Sequence, residues 1–107
     1  MDRATAVRVD RGGVSEVVDG IDVVRSVGWS DLREVSAFRT PSGVKLALWG
    51  RDVTDCIAVG LEEAKAIGVY AELLRLTGFD TIAVDKATAG TGRERFVCWR
   101  PRYDLGL

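Results

Sequence analysis

The sequence predicts an α+β fold: a mostly antiparallel sheet or partly open barrel of six to eight strands, one long helix packed on it, and a C-terminal β-hairpin after the helix. Three observations carry this expectation. Valine-rich runs are separated by turn dipeptides, of which Asp19-Gly20 is the strongest hairpin signal. Thr40-Pro41-Ser42-Gly43 places proline and glycine for a tight reversal. Leu61 to Thr77 carries a sustained helical period.

The elements follow in order. Thr5 to Val9 loosely alternates apolar and polar side chains and reads as a strand, closed by the turn Arg11-Gly12-Gly13. Val14 to Val18 and Ile21 to Val27 read as the next two strands. Val14, Val17, Val18, Ile21 and Val24 also fit a helical stripe. Gly20 inside the run and the density of β-branched valine favour strands. Gly28-Trp29-Ser30-Asp31 breaks the pattern. Leu32 to Arg39 is an imperfect strand, or a helical turn capped by Ser30 and then a strand. Val44 to Trp49 is a good strand with Val44, Leu46 and Leu48 on its inner face. Gly50 to Asp55 turns into a short buried strand, Cys56 to Val59.

In the helix 61–77, Ala64, Ile67, Tyr70, Ala71 and Leu74 form an apolar stripe, widened by Val69, Leu73 and Leu76. Glu62 and Glu63 in the first turn and Arg75 in the last match the helix dipole. Gly78 stands where a helix ends. Phe79 to Val84 reads as a strand, KATAGTG as a turn, and Arg95 to Arg100 as the last strand, ended by Pro101.

A chain of 107 residues suits a single domain, 1–107. A net charge of −1 gives no long-range attraction to nucleic acid or membrane. Residues 86–107 are the only basic region, with five basic side chains against two acidic ones. Cys56 and Cys98 lie in apolar runs and read as reduced, buried thiols, with one disulfide or a reactive thiol as the alternative. The N-terminus MDRATAVRVD lacks an apolar leader region, and no stretch approaches a membrane span, so a cytoplasmic protein is expected. The chain contains no histidine. That removes the commonest general base and zinc ligand, and with them Ser-His-Asp and Cys-His mechanisms within the chain.

Val9-Asp10 with Gly13-Val14, then Trp29, Asp31, Leu32 and Val35, then the Ser42-Gly43 hairpin and the helix, together resemble the small bacterial pleckstrin-homology-like (PH-like) domains. The resemblance covers residues 6–77. It implies a scaffold that binds lipid headgroups, peptides or its own copies. The chain departs from that pattern in the thirty or so residues after the helix.

The candidate binding residues are Arg93, Arg95, Trp99, Arg100 and Arg102. Strict alternation puts Arg93, Arg95, Val97 and Trp99 on one face of the last strand, and Glu94, Phe96, Cys98 and Arg100 on the other. An arginine–tryptophan face suits a protein hot spot, or stacked bases with paired phosphates, or merely a solvated cation–π contact. Gly90-Thr91-Gly92-Arg93 lacks the phosphate-loop spacing and reads as a hairpin turn. Asp52, Asp55, Glu62 and Glu63 form a carboxylate run that a small hydrolase could use as acid and base or a magnesium ion as ligands, but that is better explained as solvated turn and helix-start charges. Trp29 and Trp49 read as core residues, with a ligand-pocket wall as the alternative. The sequence therefore predicts no catalytic residue, no metal and no cofactor. The expected function is a non-catalytic interaction module acting on a protein partner or on itself. The alternatives are a nucleic-acid or anionic-ligand binder, and a small phage-type or defence-related inhibitor.

Overall fold

A computed structural model describes residues 5–20, 22–52, 54–90, 92 and 94–101. Strands β1 (Thr5–Val9), β2 (Gly13–Val18) and β3 (Asp22–Gly28) form an antiparallel meander. A short 3-10 helix, Trp29–Asp31, leads into β4 (Glu34–Thr40), β5 (Gly43–Trp49) and β6 (Cys56–Gly60). Helices α1 (Leu61–Ile67), α2 (Val69–Leu74) and α3 (Thr81–Ala89) follow, and β7 (Arg95–Trp99) comes last. The second sheet has the order β6-β5-β4-β7, with every pair antiparallel.

Local chemistry sets the turns. Asp19 and Gly20 both take positive φ (56° and 75°), as a tight hairpin between right-twisted strands demands. The β4–β5 hairpin closes on the Thr40–Gly43 pair. There Thr40 Oγ1 accepts from Ser42 N (3.2 Å) and donates to the Gly43 carbonyl (2.8 Å). From that rung the register runs unbroken to Glu34 opposite Trp49. Val35 and Ala37 of β4 and Leu46 and Leu48 of β5 then point to one face, joined by Ile57 and Val59 of β6. The helices cover that face with Ala64, Val69, Leu73, Ala83, Val84 and Ala87, while Val14 and Val27 close it from the first sheet. Leu46, Leu48 and Leu73 are fully buried, each stabilising the fold by about 1.5–3 kcal/mol.

The expected fold class needs correction in four places. The strands do not form one sheet or barrel of six to eight; they divide into sheets of three and four, and among the described residues these do not close into a barrel. The single helix 61–77 is broken. Gly68 adopts a left-handed conformation (φ 92°) that ends α1 and starts α2, and α2 stops at Leu74. The break swings Val69 and Leu73 fully inside. The expected strand Phe79 to Val84 is instead the start of α3. Asp80 caps that helix, its Oδ1 accepting from Ile82 N (2.9 Å) and Ala83 N (3.2 Å). The β-branched residues Thr81, Ile82 and Val84 suggested a strand, but the cap and the alanines at 83, 87 and 89 prevail. Finally, among the described residues no hairpin follows the helix. Gly90 is the C-cap of α3, and β7 crosses to pair with β4.

Asp80→Ala should therefore lower stability by about 1 kcal/mol through the lost cap, seen as a thermal midpoint roughly 4–8 °C lower for a domain near this size. An unchanged midpoint would mean that α3 does not depend on Asp80. No described helix is long and apolar enough to cross a membrane.

Candidate functional site

The open face of the four-stranded sheet carries the candidate site. Glu34, Ser36 and Phe38 alternate onto the side of β4 opposite the core. Glu34 pairs across the strands with Trp49, and Trp49 with Cys56. Arg33 is fixed beside them, its backbone N–H donating to the Trp49 carbonyl (2.7 Å). The β5–β6 turn follows, pinned by Gly50 N donating to the Asp55 carbonyl (2.7 Å). A Cβ at Gly50 would lie 2.9 Å from Asp55 Cβ, so this approach requires glycine. The turn presents Arg51, whose Nε lies 2.8 Å from Asp31 Oδ1.

A bulge in β7 completes the arrangement. Val35 pairs with Trp99 but Ser36 pairs with Val97, so Cys98 is an extra residue on β7. Strict alternation therefore fails. Trp99 turns to the core side with Phe96, packs against the core cluster, and donates its indole N–H to the Thr77 carbonyl (3.0 Å). Arg95 remains on the open face opposite Phe38, and Arg100 emerges next to Glu34. The two arginines expected on opposite faces thus meet on one carboxylate. Arg100 Nε donates to Glu34 Oε1 (3.0 Å), and Arg95 Nη2 lies 3.6 Å from Glu34 Oε2. Because Arg95 starts opposite Phe38 and reaches Glu34, their ion pair spans the position of Ser36, which is fully buried.

Arg33, Glu34, Trp49, Gly50, Arg51 and Arg95 line a depression of about 400 Å³. Its lining carries three arginines (Arg33, Arg51 and Arg95) against one carboxylate (Glu34), while Asp31 pairs with Arg51 and Asp52 and Asp55 lie in the same turn. Two side-chain polar atoms are buried here without a hydrogen-bond partner: Ser36 Oγ and Trp49 Nε1. Both are donors on the open face around Glu34.

Of the residues expected to bind, Arg95 and Arg100 come together, Trp99 is drawn away into the core side, and Arg93 and Arg102 lie outside the described residues. Arg33, Glu34, Trp49 and Arg51 were not among them. Trp29 is a packing residue, its indole donating to the Asp10 carbonyl (3.2 Å) while its ring rests on the core. The suggested Gly90–Arg93 hairpin turn instead begins at a helix end; Thr91 and Arg93 themselves lie outside the described residues. Among the described residues, Asp52, Asp55, Glu62 and Glu63 do not gather into a metal-ligand group.

Both cysteines are free thiols. Cys98 is buried and Cys56 partly so. Burial pushes the Cys98 thiol up to about 12, with smaller pushes from the charges of Asp80 and Glu34. Burial raises Cys56 too, against the opposing pull of Arg25 and Arg95. Neither group has the depressed value of a reactive thiolate.

Compared with known protein families, curated proteins and solved structures, the chain has no match. The comparisons neither support nor oppose the PH-like resemblance.

Proposed function

We propose that the chain is a non-catalytic binding domain for a protein partner, and that its contact surface is the open sheet face around Trp49. One observation carries this reading. The β7 bulge gathers Arg95 and Arg100 beside Trp49, Arg33 and Arg51, an aromatic ringed by arginines. Tryptophan and arginine are the residues most enriched where binding energy concentrates in protein interfaces. The scaffold role implied by the PH-like resemblance of residues 6–77 points the same way by analogy of fold. The absence of histidine from the chain also favours binding over acid–base catalysis.

The nucleic-acid reading is weaker on this geometry. It relied on Trp99 as a stacking platform, and that ring packs against the core with its N–H committed to Thr77.

The test is capture from native cells by the tagged chain, alongside an Arg95→Glu, Arg100→Glu double variant whose amide spectrum confirms the fold. The expected result is a protein retained by the wild type and reduced about tenfold or more with the variant. Equal retention by both, or retention of nucleic acid alone, refutes the reading. Light scattering of the purified chain then shows whether that protein is a second copy.

A further inference from the structure

The open sheet face holds an internal occupant, and its chemistry suggests what the partner brings. Among the described residues Glu34 is the one carboxylate that pairs with both Arg95 and Arg100, its side chain 15% exposed. The contacts it makes are incomplete. It engages Arg100 through Nε and Arg95 through a single nitrogen at 3.6 Å, so neither guanidinium uses its two-pronged fork. Beneath the Arg95–Glu34 pair lies Ser36, fully buried with its hydroxyl unpartnered, and across the strand from Glu34 lies Trp49 with its indole N–H unpartnered. Donors predominate at this spot: two guanidinium forks and an indole N–H, beside a hydroxyl that can donate or accept. A second carboxylate would supply the acceptors that the guanidinium forks and the indole N–H do not find. Buried donors without acceptors are rare enough in folded proteins to call for a cause.

Resting on the reading that this face is the contact surface, we propose that it is a carboxylate cradle held closed by Glu34, and that an acidic side chain of a protein segment displaces Glu34 to occupy it. Three lining arginines against the single carboxylate of Glu34 favour an acidic segment, and Trp49 offers apolar surface beside the carboxylate. Glu34 then acts as a built-in competitor. The apparent affinity for an acidic segment is lowered by the fraction of molecules in which Glu34 occupies the arginines.

The three indole N–H groups give a direct readout, because Trp29 and Trp99 are bonded to carbonyls and Trp49 is not. The probe is a hexaglutamate peptide titrated into the nitrogen-15-labelled full chain, with a short single-stranded oligonucleotide as the competing polyanion. Hexaglutamate should shift the Trp49 indole signal and leave those of Trp29 and Trp99 in place. Glu34→Gln, which keeps the side-chain shape and removes the charge, should tighten binding about tenfold. Glu34→Asp, too short to bridge both arginines, should tighten it in the same direction. Arg95→Ala should weaken it about tenfold.

If hexaglutamate shifts Trp49 but both Glu34 variants bind no more tightly, the gating role is wrong and the contact surface stands. If the oligonucleotide shifts Trp49 and hexaglutamate does not, the acidic-segment assignment is wrong. A Trp49 signal that moves with neither probe overturns the cradle, and the capture experiment on the double arginine variant then decides the fate of the face separately.

Discussion

Gly13→Ala should destabilise the domain by about 4 kcal/mol or more, the size of effect reserved for a specific structural violation. Gly13 opens β2 at φ +154°, opposite Gly28 on β3. A Cβ there would lie 2.1 Å from the Val27 carbonyl oxygen and 2.7 Å from Gly28 Cα. These are backbone atoms of the partner strand, so no side chain can rotate away. The same corner is tied down on every side. Asp10 Oδ1 accepts from Gly12 N (2.8 Å) and Gly13 N (3.1 Å), Asp10 N donates to the Gly13 carbonyl (2.9 Å), and Trp29 N donates to the Gly12 carbonyl (3.0 Å). Relief requires parting β2 from β3. Gly43→Ala is the comparison: φ is also positive (+124°), but nothing lies within 4 Å of the added Cβ. It should cost only the backbone strain, about 1–3 kcal/mol. Thermal unfolding of the two variants measures the difference. Equal midpoints would show that the strands do not cross as closely as described.

How much of this was legible follows from where the determinants sit. Turns were written locally, so strands fell near their expected places: Thr5–Val9 as read, Gly13–Val18 against 14–18, and Asp22–Gly28 against 21–27. The helices were less readable. The apolar stripe of 61–77 runs straight through Gly68, and only packing decides that this glycine bends the chain to send Val69 and Leu73 inward. For α3, the Asp80 cap was present in the sequence, but Thr81, Ile82 and Val84 gave a competing β signal that outweighed it.

The site was legible in one half and hidden in the other. Once the Thr40–Gly43 rung is placed, counting back along both strands puts Glu34 opposite Trp49, so that pairing was available to a reader who trusted the turn. The partner of β7 was not. That strand joins β4 across some 55 residues of chain, a long-range choice no local pattern records. Nor does alternation reveal the extra residue at Cys98. One bulge exchanges Trp99 for Arg100 on the open face, and with that exchange the expected arginine–tryptophan pair becomes Arg95 and Arg100 around Glu34, with Trp49 in place of Trp99.

The bulge residue also makes the domain sensitive to alkali. Cys98 is 1% exposed, and its thiol reaches only the Phe96 carbonyl (3.7 Å). In the unfolded chain the thiol ionises near its ordinary 9.0, whereas in the fold burial holds it up to about 12. Between those values the folded state binds the proton and the unfolded state does not. The contribution is therefore fully present below pH 9 and is lost progressively as the pH rises toward 12, by about 1.4 kcal/mol per pH unit from this group. Cys56 and Tyr70, both raised chiefly by burial, add to the loss with the same sign. Urea unfolding of the wild type from pH 8 to pH 11 should show stability falling steeply above pH 9. Cys98→Ala should start lower, because it leaves a small cavity, and fall less steeply. Parallel curves would mean that the thiol ionises in the fold as readily as in water, and that its burial in the core does not hold its proton.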